Sequence, residues 1–225
     1  MSRPLGHLAQ RFSLLVTAAT LGASAWVLTR IPVDKRVPVH FDIAGQPDRF
    51  SEAWTALLIM PGLCALLTIL FVLLPRIEPR AVNLAGSQRA YDTIWVTAIL
   101  LLAGCHGLLI ASALDLTLDI PRLVTALVGV CFVATGNVAG KIRPNFTLGI
   151  RLPWTLASDH VWYRTHRVFG WGAVATGLVL LAAAGLGVPS IMLAITLFTS
   201  LSLLLLGTTI YSYCVWRSLG REEEA

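Results

Sequence analysis

Six long apolar segments constrain this chain more than any other feature. They run over roughly 12–29, 54–74, 93–114, 123–140, 168–187 and 190–214. Each is close to the ~20 residues a helix needs to cross a hydrocarbon layer. Charged residues bracket most of them: Arg11 and Arg30, Glu52 and Arg76, Asp92 and Asp115, Arg122 and Lys141. Peptide groups inside lipid have no water to bond, so a crossing segment must satisfy them internally, as a helix does. The expected fold class is therefore an all-α integral membrane protein. It has six transmembrane helices and a short extracytoplasmic loop domain after the first. Composition agrees: 56% of the 225 residues are hydrophobic and 13% charged, where a soluble domain carries about a quarter charged.

The net charge of +5 does not point to nucleic acid, because the cations sit between the apolar segments. There they set topology and meet lipid headgroups, so membrane lipid is the partner they imply. Arg30, Lys35, Arg36, Arg49 and Arg122 fall on one side of the six crossings, and the remaining twelve of the 17 cations on the other. The richer side faces the cytoplasm. Both termini are expected inside, with loop 31–52 outside and loop 141–167 inside. The first segment has a basic start and an Ala23-Ser24-Ala25 site, as a cleaved signal would. Its apolar run is longer than a signal core and favours a retained helix.

All seven tryptophans fall near segment ends or in flanking loops, and are expected in the aromatic belts. Cys64, Cys105, Cys131 and Cys214 form no close pair. They are read as small buried apolar residues rather than disulfides or metal ligands. The Glu222-Glu223-Glu224 run reads as a solvated tail.

The outer loop runs Val37-Pro38-Val39-His40-Phe41-Asp42-Ile43-Ala44-Gly45-Gln46-Pro47-Asp48-Arg49. Val37, Val39 and Phe41 alternate with Pro38, His40 and Asp42, a short strand that proline confines to an edge. His40 and Asp42 would then share one face, too few ligands for a metal. Gly45 and Pro47 form turns, and Asp48 is expected to fold onto nearby backbone. The loop is expected to face a partner, since an exposed strand edge accepts an extended peptide. His106 lies in mid-segment between Gly104-Cys105 and Gly107. An ionisable group at that depth is a functional candidate. The competing reading is a neutral histidine bonded to a neighbouring helix.

The densest polar stretch begins at Gly136-Asn137 and continues through Gly140-Lys141, Arg143-Pro144-Asn145, Gly149-Ile150-Arg151 and Pro153-Trp154-Thr155. Gly136 and Gly140, four apart, allow close helix packing, and the Asn137 amide is expected to bond across helices. Lys141, Arg143 and Arg151 reach headgroups, or hold carboxylates or phosphates. Ser158 is a predicted N-cap with Asp159 in the first turn. Trp162, Thr165, His166 and Phe169 follow on one face of an interfacial helix that feeds the fifth span, with Arg164 and Arg167 off that face. His166 is expected at a lipid or loop contact.

At these spacings Asn137, Gly140, Lys141, Pro144, Asn145, Gly149, Arg151, Pro153, Trp154, Thr155, Trp162, Thr165, His166 and Arg167 resemble the signature of the bacterial immunity-protein family for the secreted sporulation-delaying toxin. Two positions depart from it: Leu152 stands where threonine is usual, and Asp159 where glutamate is usual. Residues 10–75 resemble a short domain of unknown function named for its proline-histidine-phenylalanine core, here Pro38, His40 and Phe41. The two resemblances imply an N-terminal unit over 1–78 and an immunity module over 79–225, in a bacterial cell membrane. They imply resistance to a secreted membrane-active peptide toxin, with signalling to a cytoplasmic transcriptional regulator. A small proton-coupled transporter, suggested by His106, is the competing class. Neither a nucleophile–base pair, a metal cluster nor a phosphate loop is legible, so no enzyme, cofactor or metal is expected.

Overall fold

The computed structural model describes residues 6–222; Arg3 and the Glu223 and Glu224 part of the acidic tail lie outside the described residues, as do the side chains of Arg221 and Glu222. Six helices are long and apolar enough to cross a membrane. They are α1 (His7–Leu28), α2 (Ala53–Ile77), α4 (Gln88–Ala113), α5 (Ile120–Ala139), α7 (Asp159–Gly185) and α8 (Ser190–Glu222). Two single-turn helices, α3 (Ala81–Ala85) and α6 (Pro153–Ala157), lie in connections. The expected all-α multi-pass fold is what forms.

Several boundaries move for identifiable reasons. Asp92, expected at the edge of a segment, lies inside α4, which begins at Gln88. The interfacial helix and the fifth span are one unbroken helix, α7. Ser158 caps it as expected, its Oγ accepting from the Val161 amide. At 27 residues α7 is about 40 Å long, against a hydrocarbon thickness of about 30 Å. It is longer than one crossing requires.

The helices pack as two sets of three. α1, α2 and α4 pack on one another, α7 packs on α5 and α8, and α4 meets α5. The α5–α7 contact is the most extensive, and glycine explains it. A Cβ on Gly136 would stand 2.8 Å from the Gly170 carbonyl oxygen, and one on Gly177 would stand 2.5 Å from that of Gly129. Two glycines seven apart on each helix thus bring the backbones together. Gly136 behaves as expected, but Gly140 does not: a Cβ there would meet only ordinary contact, with Arg167 Cα at 3.6 Å. Gly129, not Gly140, shares the seam with Gly136, because two turns along the face, rather than one, recover the same azimuth.

In the first set, the N-terminal helix carries a polar seam. Ser13, Thr17, Thr20 and Ser24 are all buried on α1. Ser13 bonds Thr68 of α2, and Ser24 Oγ donates to the Leu57 carbonyl at 2.7 Å. Trp95 is in this core, not in a belt: it stacks on Phe71 at 5.2 Å and its indole N–H reaches Ser13 Oγ at 3.3 Å. With a partner for the N–H, full burial of the ring outweighs an interfacial position. Trp26, Trp54, Trp171 and Trp216 remain exposed on the helix bundle. Among the four free cysteines Cys64 is buried, Cys105 and Cys131 are half-buried, and Cys214 is exposed, contrary to the uniform burial expected.

The outer loop forms an antiparallel hairpin of β1 (Arg36–Phe41) and β2 (Pro47–Glu52). Val37, fully buried against Val27 and Ala113, anchors it. The expected alternation fails after Pro38, where the register shifts around His40. As a result His40 and Asp42 do not pair. His40 Nδ1 bonds Asp48 at 2.6 Å instead. Asp42, not Asp48, folds onto backbone: its Oδ1 accepts from the Ala44 and Gln46 amides at 2.9 and 2.8 Å. Gly45 (φ 82°) takes the left-handed turn position and rests on Pro121 and Ser190. The hairpin thereby reaches from the first helix set onto the second.

Widening the glycine seam should break the second set. Gly177→Val forces overpacking that costs about 1–3 kcal/mol and lowers the melting temperature in detergent. Gly107→Val, where a Cβ meets nothing within 4 Å, leaves it nearly unchanged. Equal melting of both variants would sink the glycine account.

Candidate functional site

The signature residues converge at the end of the bundle opposite the hairpin, in the irregular loop 140–152 between α5 and α6. Such a backbone must find partners for its N–H and C=O groups. Buried side chains supply many of them. Asn145 is fully buried. Its Oδ1 accepts from the Thr147 and Leu148 amides at 2.8 and 2.6 Å, and its Nδ2 donates to the Arg143 carbonyl at 2.7 Å. Thr155 Oγ1 accepts from the Leu152 amide at 2.9 Å and donates to the Ile150 carbonyl at 2.7 Å. Trp162, fully buried, donates its indole N–H to the Ile142 carbonyl at 2.8 Å.

His166 is the centre of this arrangement. Its Nδ1 lies 2.8 Å from the Trp162 carbonyl, and its Nε2 accepts the Ile150 N–H at 2.9 Å. A carbonyl on one side and an N–H on the other fix the neutral tautomer with the proton on Nδ1. The ring stacks on Trp162 at 4.1 Å. Gly149 (φ 110°) passes so close that a Cβ there would stand 2.2 Å from His166 Nε2; only glycine fits. The lipid or loop contact expected of His166 is thus a buried contact to the loop's own backbone. Trp162 likewise leaves the expected belt for the core, because the expected interfacial helix is continuous with the fifth span and lies beneath the loop. Thr165, buried beside them, has no partner for its Oγ1 among the described residues.

One residue of this centre escaped the sequence reading. Glu78, just past α2, is 94% buried as a residue, with 6% relative exposure. Both its oxygens accept from the Phe146 amide at 3.1 Å, Oε1 accepts from the Arg80 amide at 2.9 Å, and Oε2 accepts from Thr147 Oγ1. The Asn83 Nδ2 donates to the Pro144 carbonyl at 2.8 Å, and the Arg143 amide donates to Ser87 Oγ at 2.9 Å. The α2–α4 connection therefore holds the signature loop from one side and His166 holds it from the other. The available signal is a lone acid between Pro75-Arg76-Ile77 and Pro79-Arg80, just past the end of an apolar segment.

Of the remaining signature residues Pro144 is buried in the loop, and most of the others are exposed. Asn137, Gly140, Lys141, Arg143, Arg151, Pro153 and Arg167 are exposed. Arg151 also donates to the Phe146 carbonyl at 2.5 Å. The cross-helix bond expected for the Asn137 amide is not formed among the described residues. Trp154 is half-buried, its indole N–H on Ser212 Oγ of α8 at 2.9 Å. Leu152 occupies the N-cap of α6 with extended backbone (φ −92°, ψ 155°) and no side-chain cap. Threonine at this position would supply a helix-capping hydroxyl.

His106 lies in the first helix set, 2% exposed. Its Nε2 is 3.1 Å from the Thr20 carbonyl and 3.2 Å from Ser24 Oγ, while Nδ1 is buried without a partner among the described residues. The proton therefore sits on Nε2. Among the described residues no three His, Cys, Asp or Glu lie together as metal ligands would.

The model of the SdpI/YfhL protein family matches residues 141–212, and that of a domain of unknown function, DUF1648, matches residues 15–65. Residues 141–212 are thus similar to the SdpI/YfhL family, and residues 15–65 to DUF1648, over the two stretches whose resemblance the sequence already carried. The SdpI match supports a membrane protein of the immunity type. No curated protein and no solved structure matches the chain.

Burial pushes the Glu78 carboxyl up, but the Thr147 hydroxyl, the Arg80 and Phe146 amides and the Arg80 charge outweigh it and hold it below the usual carboxylate range. A group depressed in the folded state stabilises the fold above its unfolded pKa, and that stabilisation is lost as pH falls through the folded one. Melting temperature should therefore fall below about pH 4.3, the ordinary glutamate value. Glu78→Gln should cost about 1–3 kcal/mol at neutral pH and flatten the acid limb; an unchanged limb would remove Glu78 from this role.

Proposed function

We propose that the chain is an immunity and sensor protein of a bacterial cell membrane, giving resistance to a secreted membrane-active peptide toxin and signalling to a cytoplasmic transcriptional regulator. The observation that carries this reading is the division of the signature. Asn145, Gly149, Thr155, Trp162 and His166 are consumed in building the loop, whereas Asn137, Lys141, Arg143 and Arg151 lie on its surface. Exposed cations on a braced loop suit an acidic or amide-rich partner segment.

At the other end, Pro38, Phe41, Asp115, Leu118 and Ile120 line an open groove of about 570 Å³ beside β1. An extended peptide fits such a groove along a strand edge. In this reading residues 1–78 meet the toxin at Pro38, His40, Phe41, Asp42, Gly45, Pro47 and Asp48, and the 79–225 module carries the result. These parts are joined by the packing of α1 and α2 on α4, by the Gly45 turn on Pro121 and Ser190, and by Glu78 on Phe146. A toxin shifts the helix arrangement only if it binds two arrangements with different affinity.

In this reading the signature loop and both termini are cytoplasmic, the orientation that the cation bias favours. Cysteine introduced at Val33, 97% exposed on the hairpin end, should react with an impermeant maleimide added outside intact cells, and cysteine at Lys141 should not. The reverse pattern would invert the topology.

A second reading, proton-coupled transport, draws on the unpartnered His106 Nδ1 beside the hydroxyl seam of α1. Toxin challenge of a sensitive bacterium producing each variant at equal membrane abundance separates the two. Asn137→Ala and Arg151→Ala should lower the protective dose about tenfold or more, the scale of one or two charge-assisted hydrogen bonds. His106→Ala should keep most protection. Loss at His106 with both loop variants intact would favour transport.

A further inference from the structure

Arg164 and Arg167 belong to neither the buried network nor the outward face of the loop. They lie on one face of α7 with Tyr163, Val168 and Trp171, and with Tyr211 of α8 they line a cleft of about 400 Å³. Arg164 Nε donates to the Tyr211 hydroxyl at 3.0 Å. Neither guanidinium pairs with a carboxylate among the described residues. The phenol engages only Nε, so the two Nη groups of Arg164 are left for a ligand, and their fork matches two oxygens of a phosphate.

The position along α7 selects the kind of phosphate. From Arg164 to Trp171 is seven residues, about 10 Å of helix. Trp171 is 70% exposed and Tyr163 44% exposed, and such rings settle at headgroup depth. Further along, Leu178 and Val179 are exposed and apolar, a surface for acyl chains. The cleft thus has cations at its outer end, an aromatic wall, and hydrocarbon-facing residues below. Free phosphate would use only the first of these. Two unpaired cations also repel the choline of a zwitterionic lipid and favour a headgroup of net negative charge.

We propose that the α7–α8 cleft is a binding site for an anionic phospholipid, with its phosphate on Arg164 and Arg167 and its glycerol backbone against Trp171. Bound there, the lipid bridges α7 to α8, whose packing partners are otherwise few.

The test is titration of the purified full chain in detergent with phosphatidylglycerol or phosphatidylcholine, read as bound lipid by native mass spectrometry. Wild type should bind phosphatidylglycerol about tenfold more tightly. Arg164→Ala with Arg167→Ala should erase that preference. Lys141→Ala with Arg143→Ala, the same change of charge elsewhere on the same end, should keep it. Tyr211→Phe retains both charges and the fold, and should weaken phosphatidylglycerol binding about threefold, the scale of a single lost neutral hydrogen bond. Retained preference in the Arg164/Arg167 pair, equal loss in the Lys141/Arg143 pair, or an unchanged Tyr211→Phe would overturn the site. Displacement of the lipid by millimolar inorganic phosphate would also overturn it, in favour of a free-anion site. None of these readouts involves a toxin, so the outcome is independent of the immunity reading.

Discussion

Irregular backbone next to membrane-spanning helices has to be satisfied by protein, and in this molecule that requirement organises the signature end. Twelve or so residues of loop lie between α5 and α6, and buried side chains supply bonds along their length. Asn145 and Thr155 serve it from within, His166 and Trp162 from α7 below, and Glu78 from the α2–α4 connection. The polar side chains that brace the loop each find a partner in it, which is the condition under which burial of so many is stable; Thr165 Oγ1, buried beside them, is the exception among the described residues. A gap in the set leaves a donor or acceptor without water or partner, at a cost of about 1–3 kcal/mol.

The same network ties the two halves of the chain together. Glu78 ends the second apolar helix and bonds the loop that follows the fourth, 68 residues away. At the opposite end the Gly45 turn rests on Pro121 and Ser190, and Lys35 pairs with Asp115 at 2.6 Å. Between these ends the α5–α7 pair is held at backbone contact by glycines. A molecule fastened at both faces and packed tightly between them can move as a unit only by repacking helices, the usual repertoire of small helix shifts. That is the physical basis on which a two-faced sensor is reasonable here.

The sequence by itself determined the number and type of crossings and a strand in the loop after the first of them. Those follow from length, apolarity and alternation, which are local; the signature is legible through its resemblance to a known family. The sequence also identified Gly136 as a packing site and Ser158 as a cap, because each is recognisable within one turn of helix. What only the tertiary structure decided is which signature residues are structural. His166 and Arg167 are adjacent in sequence, yet one is sealed under the loop and the other faces out, because successive residues on a helix point about 100° apart and the direction of the loop overhead is not a local property. Trp95 and Trp162 went to the core for the same reason: a ring near a segment end belongs to the interface unless a distant hydroxyl or carbonyl waits for its N–H, and Ser13 and Ile142 were such partners. Glu78 was illegible as a functional acid because its three amide and hydroxyl donors come mainly from residues nearly seventy positions away. Burial and pairing are long-range facts, and a chain states them only when folded.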